Sequence, residues 1–239
     1  RREGERVSRF RRKLLAWYAR AARDLPWRRT RDPYAVVVSE VMLQQTQVSR
    51  VTEYFPRFMA RFPTLRSLAR SKPKAVMEAW DGLGYYARAR NLHALAREVT
   101  QRHDGTLPDQ PEELVELPGV GPYTAGAVAC FAYEKAVAAV DTNVARVLRR
   151  VFFGIRDTGY GIRGRGAADA SRIPHPASRD VWELAAAIVP GDGKRAWRFN
   201  QAMMELGALV CTARKPRCPQ CPVNSNCRTF TTRRTDAPR

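Results

Sequence analysis

L-P-G-V-G-P-Y-T-A-G-A-V-A-C-F-A-Y-E-K-A-V-A-A-V-D, residues 117 to 141, is the stretch from which the rest of the chain is read. Leu114 and Leu117 close an apolar helical face, and Pro118-Gly119-Val120-Gly121 makes a tight turn whose glycines permit positive φ and close backbone approach. Pro122 then opens a second helix, where its missing N–H costs nothing. The N–H groups at the start of that helix can hold an anion, most simply a phosphate. An ordinary helix–helix turn would use the same residues. Asp141 adds chemistry to the turn. It precedes an i, i+3, i+4, i+7 stripe of Val144, Val147, Leu148 and Val151, so it reads as the N-cap of a third helix. Capping does not exclude another role, because the positive end of a helix dipole favours the ionised carboxylate.

The charge of the whole chain says what the anion is. Forty-two Lys and Arg stand against 23 Asp and Glu in 239 residues, a net charge of +19. That excess argues for a polyanionic partner, with nucleic acid first and an anionic membrane surface second. No long apolar run or signal peptide is present, so the chain reads as soluble and intracellular. Its length suffices for one large or two modest domains.

Residues 5 to 22 read as a basic amphipathic helix with Phe10, Leu14, Trp17 and Tyr18 on its apolar face. Trp27, after Leu25-Pro26, is a core candidate. A second helix is expected from Pro33 to about Val48. Glu40 is its exception: its helical neighbours are Val36, Val37 and Leu43, so its carboxyl lies beside apolar surface. Desolvation of that kind raises a carboxyl pKa, as a general acid requires, whereas a rim glutamate would point to solvent. Gln44, Gln45 and Gln47 are read as continuing on the same helix, where their amides can fill the space left by an extruded base. Asp81-Gly82-Leu83-Gly84-Tyr85-Tyr86 is a turn with two aromatics at its exit, followed by Arg88, Arg90 and His93. Paired tyrosines often pack in a core, yet a rigid aromatic beside a glycine turn can enter a base stack while arginines meet phosphates.

Residues 154 to 179 form a Gly/Arg-rich connection expected to be flexible, followed by a helix from 181 to 189 that Asp180 and Glu183 would cap. Phe199 to Val210 is a further helix on which Gln201 and Met204 share a face. Five cysteines, an odd number, argue against a disulfide framework. Cys211, Cys218, Cys221 and Cys227 give C-x6-C-x2-C-x5-C; this compact set suits a [4Fe–4S] cluster, and zinc is the alternative. Arg214, Lys215 and Arg217 between the first two ligands form a basic bulge suited to phosphates. Cys130 reads as a small buried hydrophobe.

Taken together, the hairpin with its aspartate resembles the helix-hairpin-helix superfamily of base-excision DNA glycosylases. S-E-V-M-L-Q-Q-T-Q at 39 to 47, G-L-G-Y-Y-A-R-A-R-N-L-H at 82 to 93, F-N-Q-A-M-M-E-L-G-A at 199 to 208 and the cysteine cluster resemble, more narrowly, MutY-type adenine DNA glycosylases. The resemblance implies an all-α, two-lobed fold: a six-helix barrel over 27–138, and an iron–sulfur domain made of 1–26 with 139–239. A cleft between the lobes would hold the flipped base. It implies the catalytic domain only, because MutY-type enzymes carry a further domain that helps detect 8-oxoguanine and this chain stops soon after the cysteines.

By resemblance, Glu40 protonates the base and Asp141 stabilises the sugar cation, supported by Tyr123 and Asn143. Trp27, Leu43, Gln201 and Met204 line the base pocket, and the Gln201 amide reads the adenine edge. Gln45 is the wedge and Tyr85 the intercalating residue. Arg88, Leu117, Gly119, Val120 and Gly121 contact DNA, and the four cysteines hold a [4Fe–4S] cluster. Related bifunctional enzymes have a Schiff-base lysine where this chain has Tyr123, so a monofunctional enzyme is expected. Asp141-Thr142-Asn143 stands where the family often has Asp-Gly-Asn, which leaves the aspartate but stiffens the loop. The implied partner is mispaired double-stranded DNA, bound by a monomer in a bacterial cytoplasm at the nucleoid. Adenine opposite 8-oxoguanine or guanine is the expected substrate. The alternatives are a mismatch glycosylase for thymine opposite guanine and a non-catalytic, cluster-bearing DNA-binding module.

Overall fold

The computed structural model describes residues 2–154 and 179–235, and no strand occurs among them. The helices are α1 (Arg2–Ala21), α2 (Pro33–Leu43), α3 (Val48–Arg61), α4 (Leu65–Arg70), α5 (Pro73–Ala79), α6 (Ala87–Arg102), α7 (Pro111–Leu114), α8 (Pro122–Phe131), α9 (Thr142–Leu148), α10 (Arg179–Ile188), α11 (Gly193–Leu209) and α12 (Arg228–Thr235). None among the described residues is long and apolar enough to cross a membrane. The chain divides into two compact units, one of Arg23–Lys135 and one of Arg1–Ala22 with Ala136–Arg239. Most of the 154–179 connection lies outside the described residues.

The first unit is built on two helices buried nearly all round. α2 is capped by Asp32, which accepts from the Tyr34 N–H at 3.1 Å, and Pro33 opens it. Every residue of α2 from Tyr34 to Met42 is buried, Ser39 and Glu40 included. α8 is likewise buried from Thr124 to Phe131, and its small residues let it pack directly on α2. Phe58 meets Phe62 and Trp80 edge to face at 5.0 and 5.8 Å, filling the space beneath α3. A reciprocal capping box between Thr64 and Ser67 starts α4, which packs on α6.

In the second unit α1 lies against α11. Phe10 meets Phe199 of α11 edge to face at 6.3 Å and Phe152, after α9, at 5.1 Å. Leu14, Val144, Leu148, Ile188, Met203 and Leu206 complete the core. Arginines of α1 close its seams: Arg6 donates to the carbonyls of Val151 and Asn226, and Arg11 to that of Ile188. The basic residues of α1 thus serve partly as stitching, and its aliphatic stems cover the core edge.

Three expected boundaries move. α2 stops at Leu43 instead of running to Val48, so Gln44, Gln45 and Gln47 are not on one helix: Gln44 is the C-cap, Gln45 has φ 56°, and Gln47 caps α3. α11 begins six residues before Phe199, because Asp192 accepts from the Arg195 N–H at 2.8 Å. α10 begins at Arg179 rather than 181, so Asp180 lies inside its first turn, and Glu183 pairs with Arg179 at 2.9 Å.

Candidate active site

Glu40 sits in the middle of α2 and is 5% exposed, between the buried Val36, Val37 and Val41. Tyr123 is the second residue of α8. Its hydroxyl donates to Glu40 Oε2 at 2.6 Å, within the short range of an O–H bond to a carboxylate. The two carriers of this bond, α2 and α8, are the most completely buried helices of their unit, so the pair is held by rigid core rather than by loops.

The turn before Tyr123 has one glycine that the fold requires. Gly119 has φ 76°, and a Cβ there would also meet Asn91 Cβ at 2.7 Å. Gly121 has φ −96° and open space around it, so the expected need for positive φ holds at Gly119 alone. The Leu117 and Val120 side chains are buried and brace the turn from inside, which leaves main chain as their route to DNA. Exposed main chain remains at Gly119 and Gly121.

Asp141 caps α9. Its Oδ1 accepts from the Val144 N–H at 2.7 Å and its Oδ2 from Asn143 Nδ2 at 2.8 Å. Burial pushes the Asp141 carboxyl above the usual carboxylate range; the Val144 N–H, Asn143 and Arg146 pull the other way without prevailing. Dipole stabilisation of the charge, expected from the cap, is therefore outweighed by desolvation. Arg146 carries the network onward. Its Nη2 donates to Asn143 Oδ1 at 2.7 Å and to the Gly207 carbonyl at 2.8 Å, and its Nε to the Cys211 carbonyl at 2.8 Å. Gly207 lets this happen, since a Cβ there would stand 2.6 Å from Asn143 Cβ. Asn200 holds the segment leading to Asp141, accepting from the Ala139 N–H and donating to the Val137 carbonyl at 3.1 and 2.9 Å.

Arg146, Asn200 and Gly207 were not among the residues singled out from sequence. Gly207 left a signal there, because an interior helical glycine costs about 1 kcal/mol and usually marks a close approach. Arg146 and Asn200 left none, being an ordinary helical arginine and asparagine.

In the same unit as Glu40, Trp27 is buried edge to face on Phe55 at 5.8 Å, and Leu43 is half-buried at the end of α2. Gln45 is exposed and Tyr85, with φ 48°, is 61% exposed. Arg88 departs from expectation: it is 8% exposed, and its guanidinium is spent on protein carbonyls instead of facing phosphates. In the other unit Gln201 is buried and Met204 half-buried on α11.

Cys211, Cys218, Cys221 and Cys227 line one cavity of about 170 Å³. Burial pushes the Cys221 thiol up to about 12 and also raises that of Cys227, so bound iron would be needed to hold them as thiolates. The four thiols share one space, and their compact C-x6-C-x2-C-x5-C spacing suits a four-iron cluster. Arg150 Nη1 lies 3.6 Å from Cys211 Sγ and supports the loop by donating to the carbonyls of Thr212 and Ala213. Arg214, Lys215 and Arg217 are exposed. Cys130 is buried apart from this set.

Residues 38–161 match the HhH-GPD superfamily of base excision DNA repair proteins, and residues 211–227 match the iron-sulfur binding domain of endonuclease III. The chain is 46% identical over 231 residues to the adenine DNA glycosylase of Rattus norvegicus, covering 93% of this chain and 42% of that protein. It is 46% identical over 216 residues to the adenine DNA glycosylase of Mycolicibacterium smegmatis, covering 90% and 67%. It thus spans about two-fifths of the mammalian relative and two-thirds of the bacterial one. A solved thermostable thymine-DNA glycosylase superposes with TM-score 0.82 at 29% identity, over 97% of this chain and 100% of that one. The helical fold and the four-cysteine cluster motif are those of this group.

Proposed function

Because the chain belongs to the HhH-GPD superfamily of base excision DNA repair proteins, and within it to the adenine DNA glycosylases, we propose that it extrudes adenine mispaired with 8-oxoguanine or guanine and hydrolyses its N-glycosidic bond. The observation that carries this reading is the buried Glu40 held by the Tyr123 hydroxyl at 2.6 Å. Departure of adenine needs a proton on the base and a counter-charge for the oxocarbenium-like sugar, a division of labour between two carboxyl groups. Glu40 delivers the proton to a ring nitrogen, and Tyr123, fixing Oε2, sets the direction in which the carboxyl faces. Asp141 stabilises the developing cation. Its charge is costly while buried, so it gains most when the sugar becomes positive. Asn143 and the Val144 N–H hold both of its oxygens in register.

Tyr123 has no amine and forms no Schiff base, so the enzyme releases a base without cutting the strand. Trp27, Leu43, Gln201 and Met204 contact the extruded base, and the buried Gln201 amide offers a donor and an acceptor to the adenine edge. The exposed main chain at Gly119 and Gly121 takes a phosphate, and Gln45 and Tyr85 enter the duplex. A [4Fe–4S] cluster on Cys211, Cys218, Cys221 and Cys227 would supply a four-point covalent anchor for the loop bearing Arg214, Lys215 and Arg217. The partner is duplex DNA with a mispair, bound by a monomer.

The test is single-turnover base release from duplexes carrying A opposite 8-oxoguanine, A opposite G and T opposite G, with alkali to reveal abasic sites. Adenine release that is lost in Glu40→Gln and Asp141→Asn is expected. The full coverage of the thymine-DNA glycosylase favours T opposite G as the second reading, and release of thymine alone would select it. Tight binding with no release from any duplex would select a non-catalytic DNA-binding module.

A further inference from the structure

We infer that Arg88 is a positioning residue that locks the turn carrying Gln45 and the turn carrying Tyr85 into one piece, so that both side chains meet duplex DNA at a fixed spacing. The inference rests on the glycosylase reading above. Gln45 and Tyr85 have φ 56° and 48°, left-handed values that side chains other than glycine's rarely adopt. Such residues persist only where the surroundings over-determine them, and they cluster at functional sites. Two other described residues share the conformation, Asp104 and Glu134, and each forms an ion pair through its own side chain, with Arg66 and Arg31. Gln45 and Tyr85 instead project into solvent and are held through their neighbours' carbonyls.

One guanidinium does that holding. Arg88 Nη1 donates to the carbonyls of Val41 and Met42 at 3.0 and 2.9 Å and to that of Gln44. These belong to the end of α2, where carbonyls lose their intrahelical partners. Arg88 Nη2 donates to Thr46 Oγ1 at 3.1 Å, and to the carbonyls of Leu83 and Gly84 at 3.2 and 3.1 Å. The acceptors therefore flank Gln45 on both sides and immediately precede Tyr85. The cation also lies 5.5 Å from the Tyr85 ring centroid and 5.4 Å from that of Trp80. Capping α2 alone would need only the first three acceptors; the other three tie the second turn to it. The fork geometry matters, because lysine would bring its donors to a single nitrogen and could not serve both turns. Arg88 Nε is buried without a partner, so the protein gives up one donor's hydration to aim the other two nitrogens.

The experiment is a cycle in two backgrounds, wild type and Gln45→Ala/Tyr85→Ala, with Arg88→Lys introduced into each. Base release is measured on a mispaired duplex and on one whose target adenine is already unpaired in a bulge. A 2-aminopurine beside the mispair reports unstacking without any cleavage. Arg88→Lys is expected to slow release and unstacking on the mispaired duplex by about 100-fold, as misplacement of a remote group can. On the bulged duplex the loss should shrink to a few-fold, and in the Gln45→Ala/Tyr85→Ala background Arg88→Lys should add less than about threefold. Equal loss on both duplexes, or equal loss with and without the two side chains, would overturn the clamp. Should Arg88→Lys fail to fold, Thr46→Val removes one acceptor: a several-fold slowing confined to the wild-type background supports the clamp, and an unchanged rate overturns it. Because unstacking is read without base release, a wild type that excises no adenine sinks the glycosylase reading while the cycle still judges Arg88.

Discussion

The Tyr123 hydroxyl donates to Oε2 of Glu40 at 2.6 Å, joining the second residue of α8 to the middle of α2. Glu40→Gln removes the transferable proton while keeping the volume, and should lower single-turnover base release by about 10²- to 10⁴-fold. Tyr123→Phe keeps the proton but releases the carboxyl's orientation, leaving a buried acceptor short of a donor. It should lose about tenfold in rate and roughly 1–3 kcal/mol in stability. Single-turnover kinetics and chemical denaturation of the two variants separate these effects; equal rate losses would contradict the division of roles.

Asp141→Asn should be inactive and yet at least as stable as the wild type. The carboxyl is raised above its unfolded value by burial, so its contribution to stability is present below the usual carboxylate range and is lost as pH rises through the folded value. At neutral pH the ionised group is therefore a cost. Asparagine keeps the cap on Val144 without the charge, and a gain of about 0.5–2 kcal/mol is typical when a functional strain is removed. Thermal melts should show the variant melting higher at pH 7, with the gap narrowing as the pH is lowered; a gap that widens on acidification would reverse the sign.

Tyr123→Lys should confer strand scission without alkali. The substitution puts a primary amine at the one position where the family resemblance implies a Schiff base in bifunctional relatives. Borohydride trapping of a covalent protein–DNA adduct measures it, and the wild type should trap none.

Gly207→Ala tests two opposed effects. Alanine gains about 1 kcal/mol of helix propensity over glycine. Its Cβ would however stand 2.6 Å from Asn143 Cβ and 3.0 Å from the Asn143 carbonyl oxygen, and backbone yields little. Overpacking of this kind costs about 1–3 kcal/mol, so a net loss of stability is expected together with slower base release through the displaced Asn143. A variant that melts higher with an unchanged rate would mean the α9–α11 contact is looser than it looks.

Cys221→Ser should abolish stoichiometric iron and sulfide, and expose the 211–227 loop to protease, while the Arg23–Lys135 unit keeps its protection. Zinc found by elemental analysis of the wild type, in place of iron, would overturn the cluster assignment.

The local features of the site were legible in the sequence. Gly119, the cap at Asp141, the burial of Glu40 by its helical neighbours and the spacing of the cysteines are short-range signals, and the structure realises each. What escaped was non-local. Periodicity carries α2 past Leu43, but Arg88, more than 40 residues further on, takes its last carbonyls and ends it there. That same arginine looked like a phosphate ligand because its sequence neighbours are basic and aromatic. The dipole at Asp141 is visible from sequence, but the depth of burial that outweighs it is a tertiary quantity.

The division of the chain also has a consequence in time. α1 packs on α11, and its Phe10 meets Phe152 and Phe199, so α1, once synthesised, has no partner until the whole of Arg23–Lys135 and much beyond it has been made. At roughly 5–20 residues per second that is a wait of many seconds for an apolar stripe, during which the intervening unit can already collapse on its own internal contacts. The dense arginines of α1 then have a second use: they keep a waiting helix soluble, and charge-neutral replacements along its outer face should lower the yield of folded protein more than they lower its melting temperature.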